Sequence, residues 1–487
     1  MIWREKQKRT ARIYLLSLDK RVRLCYGITM KASLFFLGGT LVLQGIPDNF
    51  KVPAPFQFVH QRWRCEAYHY PLVLSWLQEE KIRNQVPRWQ RLKLSLHNPR
   101  EPHDYQLAAL DAWLAADKRG SVVIPTGAGK TFIALHAIKQ VNASTLVLVP
   151  TVSLLYQWYV VLTNMFQTEI GVYYHAEKHV LPITVTTYHS AGDMLAEHGN
   201  EFRLLICDEV HHLPAKTWGE AALMTPAPYR LGLTATYPED TEQSGERWRL
   251  DDLLGPIVYT KRIDSLLGKQ LADYRTQRIR VNLNDKERTE YDATYAIYSS
   301  YIREQRLRGR HGPHWLQELF RLSAYDPQAR QALLARQRIW EIIEGCQEKL
   351  VMLEQLLREY AQERILIFTE SNTLAYNLSR KYLIPAITHE TGVAERKHIL
   401  EAFQQGHYRA LITAKVLNEG IDVPEAKIAI VLGGSSSKRE YIQRLGRILR
   451  KQELKQAVLF ELLARKTIEE SKVQRRHVPK GIVDVNE

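Results

Sequence analysis

The stretch SVVIPTGAGKTFIA, residues 121–134, constrains this chain more than any other. A short β-branched run meets a glycine-containing loop, and the loop runs directly into an apolar segment with helical patterning. That succession fits the carboxyl end of a parallel strand feeding a helix, which is where ligands bind in open α/β sheets. Gly127 and Gly129 let backbone N–H groups converge on an anion without a Cβ in the way. Together with Thr126 and Ala128 they form a cradle for phosphate. Lys130 follows to neutralise β- and γ-phosphates, Thr131 to offer a hydroxyl to Mg²⁺, and the helix N-terminus adds its dipole. The strict form of this loop, G-x-x-x-x-G-K-[ST], has glycine where Ile124 stands. The departure removes no phosphate-contacting group. A chance glycine-rich turn is the competing reading, and it leaves the preceding strand and the GKT ending unexplained.

The surroundings repeat the strand–helix alternation. SVVIP, TLVLVP, ITVTTY and LLICDE are short apolar runs between residues 120 and 210, separated by helical segments such as FIALHAIKQV and SLLYQWYVVLTNMF. Buried strands alternating with helices indicate a parallel sheet covered on both faces. A second series, ILIFTES, ALITAK, IAIVLGG and AVLFELLA, begins near residue 364. The region between the two, roughly 262–362, reads as helical and polar. Its middle carries Arg303, Arg306, Arg308, Arg310, Arg321, Arg330, Arg336 and Arg338 against Glu304, Glu318 and Asp326. Asn98-Pro99 and Glu101-Pro102 mark an earlier boundary. The expected organisation is therefore α/β: an N-terminal α+β domain over 1–95, parallel-sheet domains over 96–262 and 363–487, and a basic helical insertion over 263–362.

A nucleotide-hydrolysing site needs a second, acidic element, and LLICDEVHH supplies one. There an apolar strand ends in two acids. Asp208 is placed to hold Mg²⁺ through water, and Glu209 to orient or deprotonate an attacking water.

PTGAGKT, DEVHH, LTAT (233–236), TAKVLNEGIDVP (413–424) and QRLGRILR (443–450) occur in that order. Together they resemble the motif set of superfamily 2 helicases over roughly residues 95–465. The form DEVHHLPA, and the segment FVHQRWRCEAYHYPLVLSWL before the motifs, resemble the XPB (xeroderma pigmentosum group B) type of DNA repair and transcription helicase. The resemblance implies two RecA-like domains with ATP in the cleft between them and 3′→5′ movement on DNA.

It also implies site residues. Gln443, Arg447 and Arg450 share one helical face and would present arginine to the γ-phosphate, stabilising transition-state charge. Tyr105-Gln106 resembles an adenine-reading element, although the arginine the family usually carries just before it is missing from Pro102-His103-Asp104. Tyr105 is alternatively a packed helix-start aromatic. Thr234 and Thr236 resemble the element coupling hydrolysis to DNA contact, and His211 the residue joining the acidic motif to Gln443; either histidine of the pair His211-His212 could instead only cap local structure. Gly420 and Asp422 resemble residues near the ribose. Thr151, Thr187 and Thr413 resemble contacts to the nucleic-acid backbone. Arg306, Arg308 and Arg310 lie where the family has a DNA-gripping, thumb-like insertion; a solvated helix face is the alternative there. Where the family has an Arg-Glu-Asp triad linked to duplex opening, this chain has Pro238-Glu239-Asp240.

Composition agrees with a polyanionic partner: the net charge is +14 over 487 residues. The expected partners are single-stranded or forked DNA and a nuclease or repair assembly. The four cysteines form no C-x-x-C pair, which points to a reducing cytoplasm and away from zinc. SLFFLGGTLVLQGI (33–46) is too short to span a bilayer and reads as two strands joined at Gly38-Gly39. No small-residue cleavage site follows a continuous apolar core, so a signal peptide is not expected. The aromatics of the first 95 residues suit either base stacking or a small core. Rival functions are a duplex translocase that remodels complexes without unwinding, an RNA helicase and an idle DNA-binding scaffold; the intact Lys130, Asp208, Glu209 and Arg447 count against the scaffold.

Overall fold

The computed structural model describes residues 32–46, 50–214, 218–238, 249–261, 273–312, 315–414, 426–433, 456–474 and 482–485. The chain divides into two compact units, Met1–Val123 with Gly129–Thr260, and Ile124–Ala128 with Lys261–Glu487.

The first unit opens with β1 (Ser33–Leu37) and β2 (Thr40–Gln44), paired antiparallel across Gly38-Gly39 as the sequence suggests. Both glycines have left-handed φ, 60° and 74°, which a two-residue hairpin turn of this kind requires. β3 (Gln57–Val59), β4 (Arg62–Glu66), the helix α1 (Tyr70–Glu79) and β5 (Arg83–Asn84) complete a sheet of order β3-β4-β2-β1-β5. Leu34, Leu41, Phe56, Tyr70, Val73 and Leu77 form its core. Several of the aromatics serve this core: Trp89 meets Tyr70 edge-on, and Trp76 packs against Phe50 and Phe56, while Phe58 is 61% exposed.

Next come α2 (Asp104–Ala115), β6 (Arg119–Val123), α3 (Lys130–Val141), β7 (Thr145–Val149), α4 (Val152–Phe166), β8 (Gly171–Tyr174), β9 (Glu177–Lys178), β10 (Ile183–Thr187), α5 (Tyr188–His198), β11 (Leu204–Asp208), α6 (Gly219–Leu223), β12 (Tyr229–Thr234), α7 (Leu250–Leu254) and β13 (Ile257–Thr260). The eight strands run β13-β6-β12-β11-β7-β10-β8-β9, all pairs parallel except β8 with β9. Every residue of β7, β10 and β11 is buried. Apolar strands carrying helices on both faces are stable in this arrangement. The small N-terminal sheet is fastened to this larger one: Asn200 Nδ2 donates to the Val86 carbonyl at 2.6 Å, and Arg88 N–H to the Asn200 carbonyl at 3.0 Å.

The second unit contains β14 (Asp273–Val281), α8 (Asp285–Glu304), α9 (Leu307–His311), α10 (Trp315–Ser323), α11 (Pro327–Gly345), α12 (Gln347–Glu359), β15 (Ile365–Thr369), α13 (Asn372–Tyr382), β16 (Ala386–Ile387), α14 (Val393–Gln404), β17 (Ala410–Ala414), β18 (Ile428–Val431), β19 (Gln456–Ala464), α15 (Ile468–Gln474) and β20 (Ile482–Val485). Its sheet, β16-β17-β15-β18-β19-β14-β20, is parallel throughout. One strand departs from the sequence reading. β14 lies in the stretch read as helical, yet it pairs with β19 over nine residue positions. Its charges conceal it: Arg278 Nε meets Glu461 Oε2 of β19 at 3.0 Å. The helices α8 and α10–α12 do not form a separate core. Tyr291, Leu319, Ile339 and Leu353 join Ile365 and Phe460 in one cluster. No helix of the described residues is long and apolar enough to cross a membrane.

Candidate functional site

The phosphate-loop sequence sits between β6 and α3. Gly127 and Gly129 have φ of 82° and 81°, the left-handed region that costs other residues steric strain. A Cβ on Gly129 would lie 2.3 Å from Gln106 Nε2. Ile124, in the place of the pattern's first glycine, is fully buried. That position therefore serves the core here, and the left-handed geometry is kept only where N–H groups must converge.

Three parallel strand ends bring the remaining groups together. Lys130 Nζ lies 3.4 Å from Glu209 Oε1, and Glu209 Oε2 lies 3.6 Å from His211 Nδ1. The same His211 nitrogen is 3.0 Å from Thr234 Oγ1. Thr234 in turn donates to the Thr236 carbonyl at 2.8 Å and accepts from Thr236 N–H at 3.1 Å. Thus the loop, the acidic motif and the LTAT motif form one polar cluster. Glu209 occupies a left-handed conformation, φ 47°, just past the end of β11. Such strain in a non-glycine residue persists only where neighbours fix it.

Asp208 is 5% exposed, and burial followed by the neighbouring Glu209 pushes its carboxyl up to about 6. A cation beside it would relieve both effects. With the hydroxyl of Thr131 it offers hard oxygen donors, few in number, which suits an octahedral ion that keeps most of its waters. The residues present therefore fit Mg²⁺. Two partners of Asp208 were not anticipated from sequence. Trp158 Nε1 donates to its Oδ2 at 2.9 Å, and Tyr188 hydroxyl donates to its backbone carbonyl at 2.8 Å. The available signal is that a Trp or Tyr in a buried helix needs a partner for its polar tip.

Other expected residues sit as follows. Gln106 Oε1 accepts from His103 N–H at 3.0 Å in a capping box, so its amide braces the start of α2 and lies against Gly129. Tyr105 stacks on His103, and burial pushes its hydroxyl up to about 12. Thr151 and Thr187 cap α4 and α5, each accepting a backbone N–H at 3.3 Å. Thr413 is 1% exposed on β17. Arg306, Arg308 and Arg310 are exposed at the α8–α9 corner, and Arg308 lies 5.1 Å over the Trp315 ring. Gly420, Asp422, Gln443, Arg447 and Arg450 lie outside the described residues, as do Glu239 and Asp240.

Sequence reading also missed Arg230, the second residue of β12. It is fully buried and donates to four carbonyls: Ala227 at 3.1 Å, Ala222 at 2.8 Å, Leu253 at 2.9 Å and Thr225 at 2.8 Å. Its guanidinium lies 4.8 Å over the ring of Tyr68, whose hydroxyl donates to the Asp252 carbonyl. One arginine thereby joins β12, α6, α7 and the N-terminal sheet. An arginine inside the apolar strand YRLGLT was the signal.

Comparison with known proteins gives two family matches: type III restriction enzyme, res subunit, over residues 100–239, and helicase conserved C-terminal domain over residues 348–452. A "DNA 3'-5' translocase XPB2" of Sulfurisphaera tokodaii is 40% identical over 77% of this chain and 84% of its own length. A "DNA 3'-5' helicase XPB" of Mycobacterium tuberculosis is 27% identical over 77% of this chain, which spans 63% of that protein. An Arabidopsis thaliana "General transcription and DNA repair factor IIH helicase/translocase subunit XPB2" is 25% identical, and this chain spans 49% of it. Among solved structures, S. cerevisiae Dbp5 bound to RNA and ADP BeF3 superposes with a TM-score of 0.52 at 14% identity, covering 79% of this chain and 90% of that one. That last likeness concerns the fold alone.

Proposed function

Because the chain belongs to the XPB type of superfamily 2 helicase, we propose that it hydrolyses ATP to move 3′→5′ along DNA, as a helicase or translocase of DNA repair. The observation that carries the reading is the polar cluster linking Lys130, Glu209, His211 and Thr234 at the carboxyl ends of parallel strands.

The loop N–H groups and Lys130 hold the β- and γ-phosphates. Asp208 and Thr131 would hold Mg²⁺, which when bound would shield phosphate charge. Glu209 orients the attacking water and takes its proton. Before substrate arrives, its carboxylate is held by Lys130. A triphosphate that draws Lys130 away frees Glu209 for that task. His211 and Thr234 then report the state of Glu209 to the LTAT segment. DNA contact falls to the N-termini of α4 and α5 and to Arg306, Arg308 and Arg310, all backbone-directed and indifferent to sequence. Gln443, Arg447 and Arg450 are the arginine-bearing face of the same reading, with Gly420 and Asp422 near the ribose. A nuclease or a repair assembly is the expected protein partner.

The test is ATP hydrolysis without nucleic acid and with single-stranded, forked and duplex DNA and RNA, Lys130→Ala serving as control. Stimulation by single-stranded or forked DNA that the substitution abolishes is the expected outcome. Stimulation by RNA alone would overturn the DNA assignment.

Pro238 favours a second reading, a duplex translocase that moves without efficient strand separation. Pro238→Arg then increases strand displacement per ATP; an unchanged ratio counts against the triad's absence as the cause.

A further inference from the structure

Two helices that begin at candidate backbone contacts also place a hydrogen bond on the same acidic residue. β7 and β10 are neighbours in the sheet order β11-β7-β10, so the starts of α4 and α5 lie beside the end of β11. Thr151 caps α4 and Thr187 caps α5. Seven residues into α4, about 10 Å along its axis, Trp158 donates Nε1–H to Asp208 Oδ2 at 2.9 Å. At the first position of α5, the Tyr188 hydroxyl donates to the Asp208 carbonyl at 2.8 Å. The other carboxylate oxygen, Oδ1, accepts Glu209 N–H at 3.0 Å.

All three side chains are nearly inaccessible: Trp158 and Tyr188 are 2% exposed and Asp208 is 5% exposed. Water therefore cannot substitute for either donor if a helix shifts. Tyr188 is itself clamped by a parallel stack on Trp218, with ring centroids 5.4 Å apart. In a close-packed interior a displacement of either helix is passed on rather than absorbed. A displacement at the Thr151 end of α4 moves the indole that orients the carboxylate; one at the Thr187 end of α5 moves the backbone that bears it.

We propose that Trp158 and Tyr188 are positioning residues that set the Asp208 carboxylate according to the placement of α4 and α5, so that nucleic acid held at those helix starts changes the affinity of the site for Mg²⁺-nucleotide. The inference rests on the reading that α4 and α5 contact the nucleic-acid backbone. It adds a route from strand to metal site that runs through one unit, independent of any arginine from the second.

The experiment uses the full chain, a fluorescent non-hydrolysable ATP analogue and a Mg²⁺ titration, with and without a single-stranded oligonucleotide, so that no turnover is needed. In Trp158→Phe the half-saturating Mg²⁺ rises about tenfold without DNA, as the loss of a hydrogen bond to a charged group implies. The shift that DNA produces in the unaltered chain collapses to under about twofold, and by reciprocity so does the shift that Mg²⁺-nucleotide produces in DNA affinity, while oligonucleotide affinity of the nucleotide-free chain, by anisotropy, is unchanged. Tyr188→Phe deletes one oxygen and keeps the ring stack; its hydrogen bond reaches the Asp208 backbone and not the carboxylate, so it raises the DNA-free Mg²⁺ requirement less than Trp158→Phe does and reduces the DNA-induced shift. Trp158→His, which retains a ring N–H, recovers part of the requirement. Should Trp158→Phe not fold, Tyr188→Phe carries the test. A Mg²⁺ requirement and DNA response equal to the unaltered chain's in both variants overturns the proposal. An unaltered chain that does not bind DNA refutes the functional reading, and the DNA-free requirement of Trp158→Phe still decides whether Trp158 positions Asp208.

Discussion

Glu344, in the last turn of α11, is 1% exposed. Lys349, the ammonium that lowers its pKa, has no donor to spare. It is also fully buried, and its three N–H groups are taken by Glu469 Oε1 at 3.0 Å, Glu469 Oε2 at 2.8 Å and the Leu432 carbonyl at 2.7 Å. Burial, followed by the charge of Glu370, pushes the Glu344 carboxyl from 4.5 up to about 8. The helix C-terminus is a further unfavourable place for an anion. Glu344 is thus protonated in the folded chain at neutral pH and ionised in the unfolded chain. A group whose folded value is raised costs stability once pH passes its unfolded value. The penalty grows by about 1.4 kcal/mol per pH unit and levels off above the folded value. Between 4.5 and 7 that comes to about 3 kcal/mol, and at pH 8 and above to about 5 kcal/mol. Glu344→Gln keeps the shape and cannot ionise. Its advantage over the unaltered chain is under about 1 kcal/mol at pH 5 and about 3 kcal/mol at pH 7, which shifts the melting midpoint of this unit by several degrees. The assay is thermal unfolding of both chains at half-unit steps from pH 5 to 8.5. An advantage that does not grow with pH refutes the reasoning, and a glutamine variant less stable at pH 8 shows that Glu344 is held as an anion.

Gly129→Ala combines a left-handed φ with a Cβ placed 2.3 Å from Gln106 Nε2. Nucleotide affinity, read with fluorescent ADP, falls at least about tenfold; unaltered affinity would mean the loop does not hold phosphate in this geometry. Arg230→Met strands the carbonyls of Ala222, Thr225, Ala227 and Leu253 without their donor. The first unit then loses about 4 kcal/mol or more in denaturant unfolding, and a loss below about 1 kcal/mol would show that water or other donors replace the guanidinium. Replacing Arg306, Arg308 and Arg310 together by serine lowers the slope of log affinity against log salt by up to about 3, at about 0.9 for each duplex phosphate that is no longer neutralised. A slope equal to that of the unaltered chain removes these arginines from the DNA interface.

Eight parallel strands, β6, β7, β10, β11, β15, β17, β18 and β19, announced themselves because each is a short, largely apolar run, and a strand buried on both faces needs no alternation. β14 did not, because YRTQRIRV is mostly polar and charged. Distant partners make those charges acceptable inside a sheet: Glu461 of the neighbouring β19 lies opposite Arg278, and Glu470 of α15 meets Arg280. The N-terminal aromatics were equally ambiguous in sequence. Stacking on a base and filling a small core require the same side chains, and the outcome depends on what lies against them.

The sequence by itself determined the nucleotide-loop geometry and the order of the motifs. A phosphate cradle is a contiguous stretch of backbone, and its glycines, lysine and threonine act through near neighbours in the chain. Tertiary structure alone decided which distant groups tune that stretch. Trp158 reaches Asp208 across 50 residues of chain, Trp113 reaches Arg230 across 117, and Lys349 reaches Glu469 across 120. No local pattern links such pairs. Each is imposed because a buried polar group must find its partner wherever the fold happens to bring one.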